Sequence, residues 1–117
     1  MTKFVGAEYI IACTLIDLKK KGIDEIKVDD LCEYGIQMQD YSIAAKVDAV
    51  FLTAFPYVEE AIYDFSDYFR VNRSADGEIK SISLVEDKKI EDLASRFVGS
   101  IPLDILSVIE EVLGKIA

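Results

Sequence analysis

At 117 residues with 51% hydrophobic side chains, the chain is long enough to fold as one domain, residues 1–117, and too apolar to be disordered. It has no histidine, and its two cysteines, Cys13 and Cys32, lie far apart, which argues against most zinc and haem chemistry and predicts reduced, packed thiols. No apolar run approaches the roughly 18 residues of a membrane span. We therefore expect a cytoplasmic protein without a cofactor.

The net charge of −9 is concentrated in one segment of the chain, residues 24–68. This segment holds eleven acidic residues against two basic ones, so it carries the whole imbalance. Nucleic acids are bound mainly through Lys and Arg on their phosphates. The charge pattern therefore makes a nucleic-acid partner unlikely on physical grounds.

The first predicted helix extends from Thr2 to Gly22. Gly22 suits the left-handed position that follows a helix, and lysines at 19–21 favour the negative end of the helix dipole. Apolar residues occupy two faces of this helix, which indicates a central helix or one shared with a partner chain.

The pattern after Gly22 predicts a short strand at 26–28, where apolar and polar residues alternate. Asp30 and Glu33 have the spacing of a capping box, so a second helix should open there. A polar turn is expected over 37–42.

The segment 43–69 holds seven of the twelve aromatic residues and predicts two consecutive helices. Pro56 separates them, because proline has no N–H and fits a first helical turn better than an interior. Phe51 and Phe65 are expected to be nearly fully buried. We interpret this aromatic stripe as core, with a ligand pocket as the alternative.

A β-hairpin is predicted over 69–85, with its turn at 74–77 and a bulge or an exposed loop end near Lys80. Alternation along its two strands predicts which side chains pack on the helices and which face water. The inward set is Phe69, Val71, Ile82 and Leu84, and the outward set is Arg70, Asn72, Ser81 and Ser83.

Two helices are predicted in the tail, one ending at Gly99 and one beginning at Pro102. The apolar arc of the last helix is broader than a single packing partner needs, so we expect a homodimer through this helix. The predicted interface residues are Leu103, Leu106, Ile109, Leu113 and Ile116. The alternative is that the rest of the chain absorbs the arc.

The order helix, short strand, helix, turn, helix and hairpin over 3–85 resembles that of winged helix-turn-helix domains. Leu31 and Cys32 stand where that family has a leucine and a small residue, while Gly35 comes one position early for the turn glycine. The resemblance implies DNA binding, with a basic wing made by Arg70, Arg73 and Lys80. The fold class predicted is α+β and mostly helical, with about six helices and one β-hairpin, and a three-stranded winged-helix-like arrangement as an option.

One cluster of acids repeats at helical spacing, Glu60, Asp64 and Asp67. Such a face can bind a hard cation or share acid–base work, but a solvated acidic surface is the preferred interpretation. No nucleophile motif and no glycine-rich phosphate loop occurs, so we expect no enzyme and assign no catalytic, cofactor or metal residue.

By elimination, the sequence predicts an acidic, non-enzymatic protein–protein interaction or regulatory domain, homodimeric, with a protein partner and no contact with a membrane. Two alternatives remain. One is a winged-helix-like DNA-binding regulator, and the other is an acidic mimic of nucleic acid that inhibits a basic protein.

Overall fold

The computed structural model describes residues 2–86 and 88–115, with the backbone alone at Ile90. It is an α+β fold, 59% helical, with five helices and small sheets of two and three strands in the described part. The elements are β1 (Lys3–Val5), α1 (Ala7–Lys20), β2 (Glu25–Lys27), α2 (Val28–Ala44), β3 (Ala49–Phe51), α3 (Phe55–Asp64), β4 (Phe69–Arg73), β5 (Ile79–Leu84), α4 (Lys89–Arg96) and α5 (Leu103–Gly114), with 3₁₀ turns at Ser66–Tyr68 and Val98–Ser100. None of the described helices is long and apolar enough to cross a membrane.

The first helix begins at Ala7, so the predicted start near Thr2 is wrong. Residues Lys3–Val5 are instead a strand that pairs in parallel with Ala49–Phe51. The predicted end is confirmed, because Gly22 adopts a left-handed φ of 79° directly after the helix.

The second helix is longer than predicted and runs without a break from Val28 to Ala44. The predicted capping box, the turn over 37–42 and the helix after Ser42 are therefore wrong. Polar residues stay helical there because Met38 and Ser42 face the core while their neighbours face water. The chain leaves the helix through Lys46, whose φ is 59°, and continues into β3.

The three-stranded sheet has the order β2-β5-β4, with both pairs antiparallel. The predicted hairpin is confirmed, and so is its bulge, because Asn72 pairs with Ser81 and Arg73 with Ile79, which leaves Lys80 unopposed. The extra residue turns both Ile79 and Ile82 into the core.

Of the predicted inward side chains, Phe69 and Ile82 are buried, and Val71 and Leu84 are half-buried. Ser81 was predicted to face water but is buried. Its hydroxyl donates a hydrogen bond of 2.7 Å to the Glu25 carboxylate, which satisfies the buried group.

The core consists of two clusters that share α1. One lies between α1, the start of α2, β2, α3, the hairpin and α4, and the other between α1, the rest of α2, the β1–β3 sheet and α5. In the first cluster the Phe97 ring meets Tyr9 and Phe65 edge-on, at centroid distances of 5.7 and 5.0 Å. Phe65 itself is half-buried, so its predicted full burial is wrong, whereas Phe51 is buried as predicted.

Gly35 sits where α2 meets the loop after β3. A Cβ at this position would lie 2.0 Å from Thr53 Oγ1 and 2.2 Å from its Cβ, and Thr53 is itself buried. Only glycine permits this close approach. By contrast, a Cβ on Gly114, near the end of α5, would meet nothing within 4 Å.

Gly35→Ala should lower the free energy of unfolding by about 1–3 kcal/mol, because the added methyl overpacks a buried contact that a β-branched side chain cannot leave. Gly114→Ala is the matched control, and it should be neutral or slightly stabilising. Urea denaturation of the two variants and the parent provides the comparison. A Gly35→Ala chain as stable as the parent would contradict the contact.

Phe51→Ala should cost about 3–5 kcal/mol, because it empties a buried site in the second cluster of the core. Phe65→Ala should cost clearly less, since part of that ring is already in water. Equal losses for the two variants in thermal or chemical denaturation would not fit this burial pattern.

Candidate functional site

Helix α3 presents the most unusual surface of the described chain. It begins at Phe55 with Pro56 in its first turn, and it packs on the core through Val58, Ala61 and Ile62. The remaining positions face outward, and they include three aromatic side chains. Phe55, Tyr57 and Tyr63 have exposed fractions of 41%, 49% and 53%.

These exposures correct the interpretation of the aromatic stripe as core for these three rings, whereas Phe51, Tyr68 and Phe69 are buried as interpreted. Helical spacing separates the outward residues of α3 into two sides, one with Phe55, Glu59 and Tyr63 and the other with Tyr57, Glu60 and Asp64. The helix has three acids and no Lys or Arg. We call this outward surface, together with the hairpin that borders it, the α3 face.

The hairpin borders the first side of α3 through Arg73. The guanidinium carbon lies 5.9 Å from the centre of the Tyr63 ring, and Nη2 donates to the Tyr63 hydroxyl at 3.3 Å. Nη1 donates to the Gly77 carbonyl at 2.9 Å. One exposed cation–π contact contributes about 0.5–1 kcal/mol, so Arg73 holds the turn of the hairpin against α3.

A cleft of about 480 Å³ opens between the start of α2, the start of α3 and the hairpin. Its walls are Asp29, Phe55, Ser74, Glu78, Ile79 and Lys80. At its rim, hydrogen bonds from the Ser74 hydroxyl and from the Glu78 N–H lower the pKa of the exposed Asp76 carboxyl. These bonds order the hairpin turn while Asp76 is ionised.

The predicted acidic cluster is only partly brought together. Glu60 and Asp64 line a second, shallow cleft of about 270 Å³ beside Tyr57, and Glu8 from the start of α1 faces them. Asp67 lies beyond the helix, in the 3₁₀ turn that follows. Within the described residues, no group of three or more His, Cys, Asp or Glu is placed to hold a metal ion.

The predicted interface on α5 is mostly taken up by the chain itself. Ile109 and Leu113 are buried against α1 and α2, Leu106 is half-buried, and Leu103 is 81% exposed. Ile116 lies outside the described residues. The arc is absorbed because α1 and α2, which is longer than predicted, pack against α5.

Both cysteines are unpaired, and neither lies on the α3 face. Burial, and to a lesser degree the charge of Glu110, raises the pKa of the Cys13 thiol to about 12. Burial and then the charge of Asp29 raise the pKa of the half-buried Cys32. Both side chains therefore stay protonated near neutral pH, which makes them poor nucleophiles.

A thiol reagent such as Ellman's reagent should modify Cys32 slowly and Cys13 hardly at all in the folded chain at mildly alkaline pH. In denaturant both should react fast, because the unfolded thiols regain their ordinary pKa and become accessible. The variants Cys13→Ala and Cys32→Ala assign each phase. Equal reactivity of Cys13 in the folded and unfolded chain would contradict its burial.

Comparison with protein-family models, with curated proteins and with solved structures finds no match for this chain.

Proposed function

We propose that this chain is a non-enzymatic protein-interaction domain that binds a Lys- or Arg-rich segment of another protein through the α3 face. The observation that carries the proposal is that one short helix without a basic residue presents three exposed aromatic rings and three carboxylates, of which Glu60 and Asp64 are exposed and Glu59 is half-buried. Aromatic residues are enriched among the side chains that dominate binding energies at protein interfaces.

The chemistry of the α3 face favours a cationic partner. A Lys or Arg side chain can lie over the face of a Tyr or Phe ring while its charged group pairs with a neighbouring carboxylate. On α3, Tyr57 has Glu60 and Asp64 on its own side of the helix, and Tyr63 has Glu59. Arg73 already makes such a contact with Tyr63 inside the chain.

The topology supports α3 as the recognition element. From α1 to the hairpin the order is α1, β2, α2, β3, α3, β4 and β5, with β2 joined to β5. Apart from β3, this is the order of winged helix-turn-helix domains. In that arrangement α3, directly before the hairpin, takes the place of the helix that reads DNA.

The charges support a protein partner over DNA. Helix α2 carries four acids and α3 three, and neither contains Lys or Arg. Both helices would repel the phosphate backbone of DNA. The basic side chains of the hairpin, Arg70, Arg73 and Lys80, would have to compensate for this repulsion. A winged-helix DNA-binding regulator therefore remains the second candidate, favoured by topology alone.

The third candidate, an acidic mimic of nucleic acid, shares the cationic partner. It differs in one respect, since its target would be a nucleic-acid-binding protein and duplex DNA would compete for that target. A cytoplasmic location also belongs to the proposal, in keeping with two unpaired cysteines. The apolar arc of α5, through which a homodimer was predicted, is mostly covered within the chain.

Titration of the full chain with a lysine- and arginine-rich peptide should show binding that weakens with salt. The test pair is Glu59→Lys with Glu60→Lys on α3, and the matched control is Glu110→Lys with Glu111→Lys on α5, which changes the net charge equally. The α3 pair should lose about tenfold in affinity, roughly 1.4 kcal/mol, because close ion pairs are removed. The control pair should lose only the smaller, general attraction.

Chemical-shift changes in an NMR titration locate the bound peptide, and they should fall on α3 and the hairpin. Equal losses for the two charge-reversed pairs would contradict the α3 face as the binding site. Binding of random duplex DNA at low salt would instead favour the winged-helix regulator. Competition between duplex DNA and this chain for a captured basic protein would favour the mimic.

A further inference from the structure

The small parallel sheet has two outer edges, and they differ in whether their backbone groups have hydrogen-bond partners. The outer edge of β3 is closed by the side chain of Gln39 from α2. Its Nε2 donates to the Ala49 carbonyl at 3.0 Å, and its Oε1 accepts from the Phe51 N–H at 2.9 Å. One side-chain amide thus takes the hydrogen-bonding place of a third strand.

The outer edge of β1 has no such cover. The Lys3 N–H donates to the Asp48 carbonyl at 3.2 Å, and the Val5 carbonyl accepts from the Leu52 N–H at 2.9 Å, so these two residues face β3. Because backbone groups alternate along a strand, the N–H and C=O of Phe4 point away from β3. No hydrogen bond found among the described residues involves them.

The surroundings of this open edge are apolar and accessible. A cleft of about 330 Å³ separates β1 from the segment around Ile101, Pro102 and Ile105. Phe4 is 70% exposed and Leu103 is 81% exposed, the two largest exposures among the bulky apolar side chains of the described chain. An unpaired edge beside exposed apolar side chains is a template for another strand.

We propose that β1 of a second copy of this chain adds to this edge in antiparallel orientation, with the two-fold axis at Phe4. In an antiparallel hydrogen-bonded pair, two opposing residues exchange both of their N–H···O=C bonds. Phe4 opposite Phe4 of the second copy satisfies both free groups on each side. Thr2 then lies opposite Gly6, so the pairing extends symmetrically.

A second copy is the occupant because the edge is complementary to itself in hydrogen bonding and in charge. Lys3 and Asp104, 4.0 Å apart beside the edge, offset each other. The excess acids lie on 24–68, and charges farther apart than about 8–10 Å are largely screened at ordinary salt. The two Phe4 rings would stand on the same face of the joined sheet and cover each other.

This interface is small. Its apolar part consists mainly of two Phe4 and two Leu103 side chains, well below the roughly 1,200–2,000 Å² of a standard stable interface. The dimer should therefore be weak and form at high micromolar concentration. Leu103, predicted for an interface on α5, follows Pro102 of the cleft wall and is exposed, whereas Ile109 and Leu113 are buried.

Sedimentation velocity or light scattering of the full chain across a concentration series tests the proposal. The mass should rise from 13.1 kDa towards twice that value. Phe4→Lys should stay monomeric, because two lysine side chains would oppose each other at the axis on Cα atoms about 5.5 Å apart, and like charges directly opposite are destabilising. Ile43→Lys is the matched control, since Ile43 is 67% exposed on α2 and the charge change is the same, and it should dimerise like the parent.

Circular dichroism verifies that each variant is folded. If Phe4→Lys is unfolded, Leu103→Lys provides a second interface variant. Mild oxidation should cross-link Phe4→Cys between copies and leave Ile43→Cys uncross-linked, because only position 4 meets itself at the axis. A parent that remains at 13.1 kDa at high concentration, or a Phe4→Lys chain that dimerises unchanged, would overturn the proposal. These readouts do not depend on the basic-peptide titration.

Discussion

The packing of α1 on both of its sides is the constraint on which the rest of the structure depends. One side contributes Ile11 and Leu15 to the cluster with α3, the hairpin and α4, and the other contributes Ile10 and Cys13 to the cluster with α2 and α5. Thr14 lies fully buried on this helix, and its hydroxyl donates to the Ile10 carbonyl at 2.7 Å. A helix buried in this way leaves no apolar face for a partner chain.

The position of α3 follows from this arrangement. Val58 and Ile62 anchor the helix in the first cluster, while Gly35 lets the loop before α3 pass directly against α2. The outward positions of α3 do not pack against the core, yet they carry aromatic rings and carboxylates. Exposing three aromatic side chains on one helix has no benefit for folding, which is why the α3 face is the strongest indication of function in this chain.

The α3 face and the outer edge of β1 differ in the chemistry of recognition. The α3 face is ionic and aromatic, so its affinity should depend on salt and on the identity of the partner side chains. The edge of β1 is built from backbone groups, and the exposed Phe4 at its centre would add selectivity for a second copy by packing against its own counterpart. Gln39 closes the other edge of the same sheet and so limits strand addition to one side.

The sequence by itself determined the features that have local signals. The hairpin and its bulge at Lys80 follow from alternation and turn residues, the end of α1 from Gly22, and the start of α3 from Pro56. Only the tertiary structure decided the strands β1 and β3, the length of α2 and the burial of α5. Three-residue strands more than forty positions apart have no periodicity to detect, since their pairing is stabilised by long-range contacts. The same contacts decide which apolar arc is covered within the chain and which rings remain in water.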